Sequence, residues 1–221
     1  GETLHADVVV SNADSAFTYR KLLPEKYRKR WTNKKLDRSR YSMSLFVWYF
    51  GTSKQYADVP HHMIMLGDRY KELLADIFDK KVLAEDFSLY LHRPTATDPS
   101  LAPPGCDTFY VLSPVPNMQG TTNWETESER YRAAIARALD ATVLPGLEDN
   151  IVTSHLLTPI DFRDRLLSLE GAAFGLEPVL WQTAWFRPHN RSEDIKGLYL
   201  VGAGTHPGAG MPGVISSAKV L

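Results

Sequence analysis

The chain has 221 residues, 43% of them hydrophobic and 23% charged, with a formal net charge of −1. That balance fits a folded protein with one large or two small domains and a core of its own; it excludes an intrinsically disordered chain and argues against general nucleic-acid binding. A single cysteine, Cys106, excludes an internal disulfide and a thiolate metal cluster and favours a reducing compartment. No stretch approaches the roughly 20 apolar residues that span a bilayer.

Ala6–Ser11 reads as a short buried strand, closed by Asn12. Asn12 or Asp14 can cap a helix over 15–22. Pro24 suits the first position of a second helix, reaching about Asp37. Residues 20–40 hold ten Lys/Arg against Glu25 and Asp37, a local charge of +8. Leu23, Tyr27 and Trp31 fall at i, i+4 and i+8 among those cations, which predicts a basic amphipathic helix able to lie on an anionic lipid surface.

Residues 42–50 are too apolar for a surface strand and read as a buried one. Strands are expected at 62–66, 87–91, 109–113 and 151–157. Helices are expected at 70–78, with Leu73, Leu74, Ile77 and Phe78 on the apolar face, and at 159–167. The clearest helix is 125–143, where Tyr131, Ala134, Ile135, Ala138 and Leu139 share a face and Pro145-Gly146 ends it. Residues 171–190 have no clear period. Leu198–Val201 is a final buried strand, and a last helix starts near Gly213. His61 and His62, adjacent on a strand, should point to opposite faces. No metal-ligand spacing, serine-hydrolase elbow or phosphate-binding loop occurs. The reading is an α+β chain without repeats. The unpartnered first strand and the short last helix mark it as a piece of a longer protein.

One segment carries chemistry. Leu198-Tyr-Leu-Val-Gly202-Ala-Gly204-Thr-His-Pro-Gly208-Ala-Gly210-Met-Pro-Gly213-Val runs from a buried strand through a glycine-rich loop into a helix. Glycines let the backbone approach a ligand, and a helix N-terminus favours an anionic or electron-rich one. Gly208–Gly213 matches G-x-G-x-x-G, yet residues 203–207 separate it from its strand and no acidic residue follows about 20 positions on. It is therefore not a dinucleotide fingerprint.

This segment closely resembles the C-terminal flavin-contacting motif of bacterial phytoene desaturases. Ala6–Asp14 (ADVVVSNAD), Ala84–His92 (AEDFSLYLH) and Ala184–Arg191 (AWFRPHNR) fit the same family in the same order. The resemblance implies the C-terminal part of an FAD flavoprotein related to amine oxidases. Residues 1–13 would be a returning strand of the FAD domain, 14–195 a mixed-sheet substrate domain, and 196–221 the FAD-contacting strand, loop and helix. The main dinucleotide-binding unit and the polar reacting-centre groups would lie upstream, so no catalytic residue is named.

By the same resemblance, Gly202, Ala203, Gly204 and Thr205 would follow the ribityl and pyrophosphate part of FAD. Met211, Pro212, Gly213 and Val214 would sit at the isoalloxazine, and Asn12 and Ala13 near the cofactor. The implied activity is desaturation of phytoene or a related C40 carotene, with oxygen or a quinone as final acceptor. The implied location is the bacterial cytoplasm, peripherally on a membrane. A carotenoid isomerase or later-pathway desaturase is an alternative, distinguished by its products from phytoene; a non-catalytic lipid- or carotenoid-binding module is another. Leu45, Phe46, Trp48, Phe50, Trp181, Trp185 and Phe186 could wall an apolar substrate or simply form core.

Overall fold

The computed structural model describes residues 1–221. The chain divides into two compact units, Gly1–Met43 with Phe162–Leu221, and Ser44–Asp161. These limits differ from the 13/14 and 195/196 boundaries expected from the sequence. Segments 14–43 and 162–195 pack in the same unit as both terminal segments.

The unit 44–161 is built on strand β2 (Ser44–Thr52). Two more strands, β5 (Asp107–Val115) and β6 (Ile151–Leu157), pair antiparallel on either side of it. A central position explains the apolar run: every residue of β2 but Tyr49 is buried. On β5 the hydrophobic alternation is regular, and Phe109, Val111 and Val115 enter the core. The sheet continues through β4 (Leu89–His92) to β3 (His62–Met65), giving the order β3-β4-β5-β2-β6. All its pairs are antiparallel. The chain thus holds both antiparallel and parallel pairing, as expected of a mixed α+β protein, with the parallel pair in the other unit.

Within 44–161 one long helix, Trp124–Asp140, packs Trp124, Tyr131, Ile135, Ala136 and Leu139 against Phe46, Trp48 and Phe109. Asn123 caps its start by accepting the N–H of Glu125. The expected helix at 70–78 is α-helical only over Tyr70–Ala75 and widens into a π turn over Asp76–Lys80. That widening keeps Leu73 and Ile77 buried but leaves Leu74 exposed.

A buried ion pair ties this sheet to its loops. Arg93 Nε donates to Asp107 at 2.9 Å, the Tyr56 N–H donates at 2.7 Å and Thr95 Oγ1 at 2.7 Å. Arg93 also reaches the Val59 carbonyl at 3.0 Å. The two Asp107 oxygens are answered by donors from two stretches of chain, Tyr56 and the Arg93–Thr95 segment, which offsets the cost of burying the charges.

The other unit holds a two-stranded parallel sheet, β1 (Val9–Ser11) with β7 (Leu198–Leu200). With a single partner, β1 leaves Val8, Val9 and Val10 about half exposed, where a buried strand was expected. Asp14, not Asn12, caps the following helix by accepting the Phe17 N–H at 2.7 Å; that helix, Ser15–Phe17, continues as a π turn to Leu22.

The expected helix 24–37 does not form as one piece. A short turn at Glu25–Tyr27 is followed by a bend over 29–31, and a new helix, Asn33–Arg38, starts at its Thr32 cap. The reason lies 160 residues away: the Asp194 carboxylate accepts the N–H groups of Lys29, Arg30 and Trp31, all within 2.9 Å. Three consecutive N–H groups aimed at one carboxylate cannot also make i→i−4 bonds. Trp31 turns inward onto Tyr19, while Tyr27 stays exposed, so the amphipathic stripe is dissolved.

Two stability predictions arise from these buried acceptors. Asp107→Ala strands a buried guanidinium and should lower the unfolding free energy by about 3–5 kcal/mol, against little change for Glu127→Ala, whose partner Arg130 is exposed. Denaturant titration reads both. Burial pushes the Asp194 carboxyl upward, but the N–H donors of Arg30, Trp31 and Lys29 and the nearby Arg28 charge outweigh it and hold its pKa below the ordinary value. Its stabilisation is therefore present above the unfolded carboxyl value of about 3.9 and lost as pH falls through the lower folded value. Asp194→Ala should cost about 1–3 kcal/mol at neutral pH. It should also flatten the acid limb of the stability profile, as measured by denaturant midpoint against pH.

Candidate functional site

The glycine-rich segment and the strand β1 come together in the unit formed by 1–43 and 162–221. The β1–β7 ladder is parallel, with Ser11 opposite Leu200, so both strands end at the same side. Their following loops, 12–14 and 201–204, line one cleft of about 230 Å³. Leu166, Ser168, Ala173, Gly175 and Val214 complete it.

Six of the ten residues expected at a cofactor therefore share this cleft: Asn12, Ala13, Gly202, Ala203, Gly204 and Val214. Thr205 does not line it. Its side chain is fully buried and its hydroxyl donates to the Pro188 carbonyl at 2.6 Å, which makes it a strut beneath the loop. Met211, Pro212 and Gly213 form the first turn of the last helix, Met211–Lys219, which begins two residues earlier than expected. Met211 is exposed. Gly210 gives that helix no side-chain cap, so its first N–H groups are left for other acceptors.

Two glycines are dictated by geometry. Gly202 has φ +104°, in the region that other residues avoid. At Gly204 an added Cβ would stand 2.5 Å from Ser15 Oγ and 3.0 Å from the Ser15 nitrogen. Ser15 instead donates to the Gly204 carbonyl at 2.8 Å, fastening the loop to the helix that follows β1.

Three residues given no role by the sequence reading hold the loop in shape. Ser217, fully buried, accepts the Gly202 N–H at 2.8 Å and donates to the Val214 carbonyl at 2.6 Å. The Asn190 amide donates to the carbonyls of His206 at 2.8 Å, Ser217 at 3.1 Å and Leu200 at 3.4 Å. One buried side chain thus joins the end of β7, the loop and the last helix. It also explains why the Asn-Arg-Ser sequon at 190–192 is no surface acceptor. Arg187, also buried, donates to the carbonyls of Leu176 and Ala203, while its Nε finds no acceptor. Burial lowers its pKa from the ordinary value.

Asp14 brings an acidic group to the cleft. Burial pushes its carboxyl above the ordinary pKa, against the opposing N–H bonds of Phe17, Leu169 and Ala16. The cleft is otherwise made of backbone, small side chains and Asn12. It offers N–H and amide groups and close approach, with no nucleophile and base in register.

The candidate apolar wall separates into two sets. Leu45, Phe46, Trp48 and Phe50 are buried core of the 44–161 unit. Trp181, Trp185 and Phe186 are exposed, at 64%, 72% and 53%, in the other unit. His61 and His62, expected on opposite faces, instead stack with ring centroids 4.2 Å apart. His61 precedes the ladder, which starts at His62, so strand alternation does not bind it.

No protein-family model matches the chain. Among curated proteins, a neurosporene-forming phytoene desaturase of Rhodobacter capsulatus is 55% identical over all of this chain and 43% of its own length. A lycopene-forming phytoene desaturase of Pantoea ananas is 51% identical over 99% of this chain and 45% of its own length. An all-trans-zeta-carotene desaturase of Myxococcus xanthus is 39% identical over the whole chain and 42% of its own length. The crystal structure of an oxidoreductase from Methanosarcina mazei matches with a TM-score of 0.58 at 20% identity. It covers 97% of this chain and 42% of that one, a likeness of fold alone.

The loop geometry carries its own test. Asn190→Ala leaves three carbonyls without their shared donor and should lower stability by about 1–3 kcal/mol. Gly204→Ala must push Ser15 away and should cost a similar about 1–3 kcal/mol. Urea unfolding reads both, with Ala209, exposed at the loop tip, substituted by Ser as the near-neutral reference. The curated relatives are more than twice as long as the residues they share with this chain. Over its whole length the chain is a homologue of the bacterial phytoene desaturases and corresponds to a C-terminal part of them.

Proposed function

We propose that the protein carrying this chain is an FAD-dependent desaturase that introduces double bonds into phytoene or a closely related C40 carotene. The supporting observation is the pairing of two facts. Relatives named as phytoene desaturases are 50–55% identical over nearly every residue. Six of the ten residues that resemble the family's flavin contacts also line one glycine-rich cleft.

The cleft suits part of a dinucleotide flavin. The bare backbone at Gly202 and Gly204 gives close approach, and Asn12 offers an amide. Next to the lining residue Val214, the uncapped helix start offers the N–H groups of Met211 and Gly213 and the positive end of a helix dipole. FAD, when bound, supplies the hydride acceptor for the desaturation. This chain's residues would bind and orient it. Ser217, Asn190 and Ser15 keep the loop rigid, and the helix start favours electron density gathered nearby. An apolar hydrocarbon needs walls more than acids and bases, which fits the scarcity of paired titratable groups at the cleft.

A membrane surface is the proposed source of so apolar a substrate. The sequence alone suggests docking through a basic amphipathic helix, but the observed fold breaks that segment. Support comes from a different grouping. Lys34, Lys35 and Arg38 line a groove of about 390 Å³ together with the exposed Trp181 and Phe186. Cations beside exposed aromatic rings suit an anionic bilayer. No helix is long and apolar enough to cross a membrane.

The test uses the longer protein that contains this chain, incubated with phytoene in anionic vesicles. Expected are a bound oxidised flavin by its absorption spectrum and more unsaturated carotenes by chromatography. Gly202→Val should reduce the flavin content. Lys34→Glu with Lys35→Glu should lower vesicle co-sedimentation while leaving flavin content unchanged. A folded protein that binds no flavin and forms no desaturated product sinks the reading; an isomer as the sole product would favour a carotenoid isomerase instead.

A further inference from the structure

Three imidazoles meet at the edge of the five-stranded sheet. His62 and His92 are direct partners across the β3–β4 ladder, so both rings lie on one face, 5.0 Å apart and nearly parallel. His61, just outside the ladder, brings its Nε2 to 2.8 Å from His92 Nε2. One ring nitrogen from each of the three lies within 4.8 Å of the other two.

The surroundings orient two of these rings as ligands. His61 Nδ1 is 2.5 Å from Thr97 Oγ1, and His62 Nδ1 is 2.6 Å from Tyr90 Oη. In the tautomer that donates Nδ1–H to those oxygens, each Nε2 presents a lone pair. A hydrogen bond at the far ring nitrogen is how metal-binding histidines are held. His92 Nδ1 is buried without a partner. Burial first, then the two neighbouring imidazoles, keeps the His92 pKa below its ordinary value, which favours the neutral ligand form.

Three neutral imidazoles close together are otherwise a poor arrangement. They share one hydrogen bond, between the Nε2 atoms of His61 and His92, with no acid beside them to hold a second proton. A borderline cation held by one nitrogen of each ring takes the place of that shared proton. Nitrogen ligands select zinc, copper, nickel or cobalt over the oxygen-seeking calcium and magnesium, and three ligands leave a fourth position for water. Ordinary Zn–N bonds set tetrahedral ligand nitrogens about 3.4 Å apart, so the nearly parallel rings would rotate to turn one lone pair each onto the ion.

We propose that His61, His62 and His92 form a divalent transition-metal site that staples the edge strand β3 and the residue before it to β4. The site lies within the 44–161 unit, and it stands independently of the desaturase reading.

The test is calorimetric titration of untagged, chelator-treated protein with zinc chloride at neutral pH. Cobalt(II) absorption serves as the second readout. One zinc per chain is expected. Affinity should fall at least tenfold in His61→Gln and in His62→Gln, and by a smaller factor in Tyr90→Phe. His155→Gln, at an exposed imidazole on β6, should bind as the parent does. The four-coordinate cobalt bands should vanish in His62→Gln. Zinc should raise the thermal midpoint of the parent and not of His62→Gln. Equal midpoints of the two without metal separate lost ligation from lost folding. Folded parent protein that takes up no stoichiometric zinc, or affinity unchanged in both His61→Gln and His62→Gln, overturns the proposal.

Discussion

The candidate site depends on one amide. Asn190 reaches the carbonyls at the end of β7, in the glycine-rich loop and in the last helix. A loop that contains several glycines has high conformational entropy when free, and its shape must be imposed from outside. Asn190 does so with the NH₂ group, Ser217 with a hydroxyl that both accepts and donates, and Ser15 with a bond to Gly204. All three are buried, where an unmade bond is costly, so they specify one loop conformation rather than merely favouring it.

The 44–161 unit uses a different device. Its central strand carries almost uninterrupted apolar residues because it has a strand on each side and is buried throughout. A buried charge is held where Asp107 gathers donors from Arg93, Tyr56 and Thr95. Removing all the charges together is a different perturbation from removing one, since a single deletion leaves its partner buried and unanswered. The aromatic packing above the sheet, with Phe46 edge-on to Tyr131 and Phe50 stacked on Phe109, fills the remaining core.

The basic segment illustrates where local pattern misleads. Its charge is real, but its cations do separate jobs. Arg28 is buried and donates to the Trp31 carbonyl and to Asn33; Arg40 pairs with Glu177; Lys35 sits over the Trp31 ring. Asp194 draws three successive N–H groups out of the helical pattern. A periodicity of four residues cannot reveal a competing acceptor 160 positions on. The same limit hides the contact of His61 with His62 and His92, because strand alternation does not extend to a residue that lies before the strand.

By itself the sequence determined what depends on neighbours along the chain. The apolar run at 42–50, the strand at 109–113, the helical face of Tyr131, Ile135 and Leu139, and the strand–glycine loop–helix from 198 onward are all local patterns. The glycine loop also stands out in the sequence as a place where backbone can approach a ligand closely. Tertiary structure alone decided which of those residues face a common cleft, why Thr205 is a strut instead of a lining residue, and that Asn190 and Ser217 govern the loop. It also decided the three-histidine cluster and the unit boundaries. Each of these rests on contacts between residues far apart in sequence, whose energies appear only once the backbone has brought them within reach.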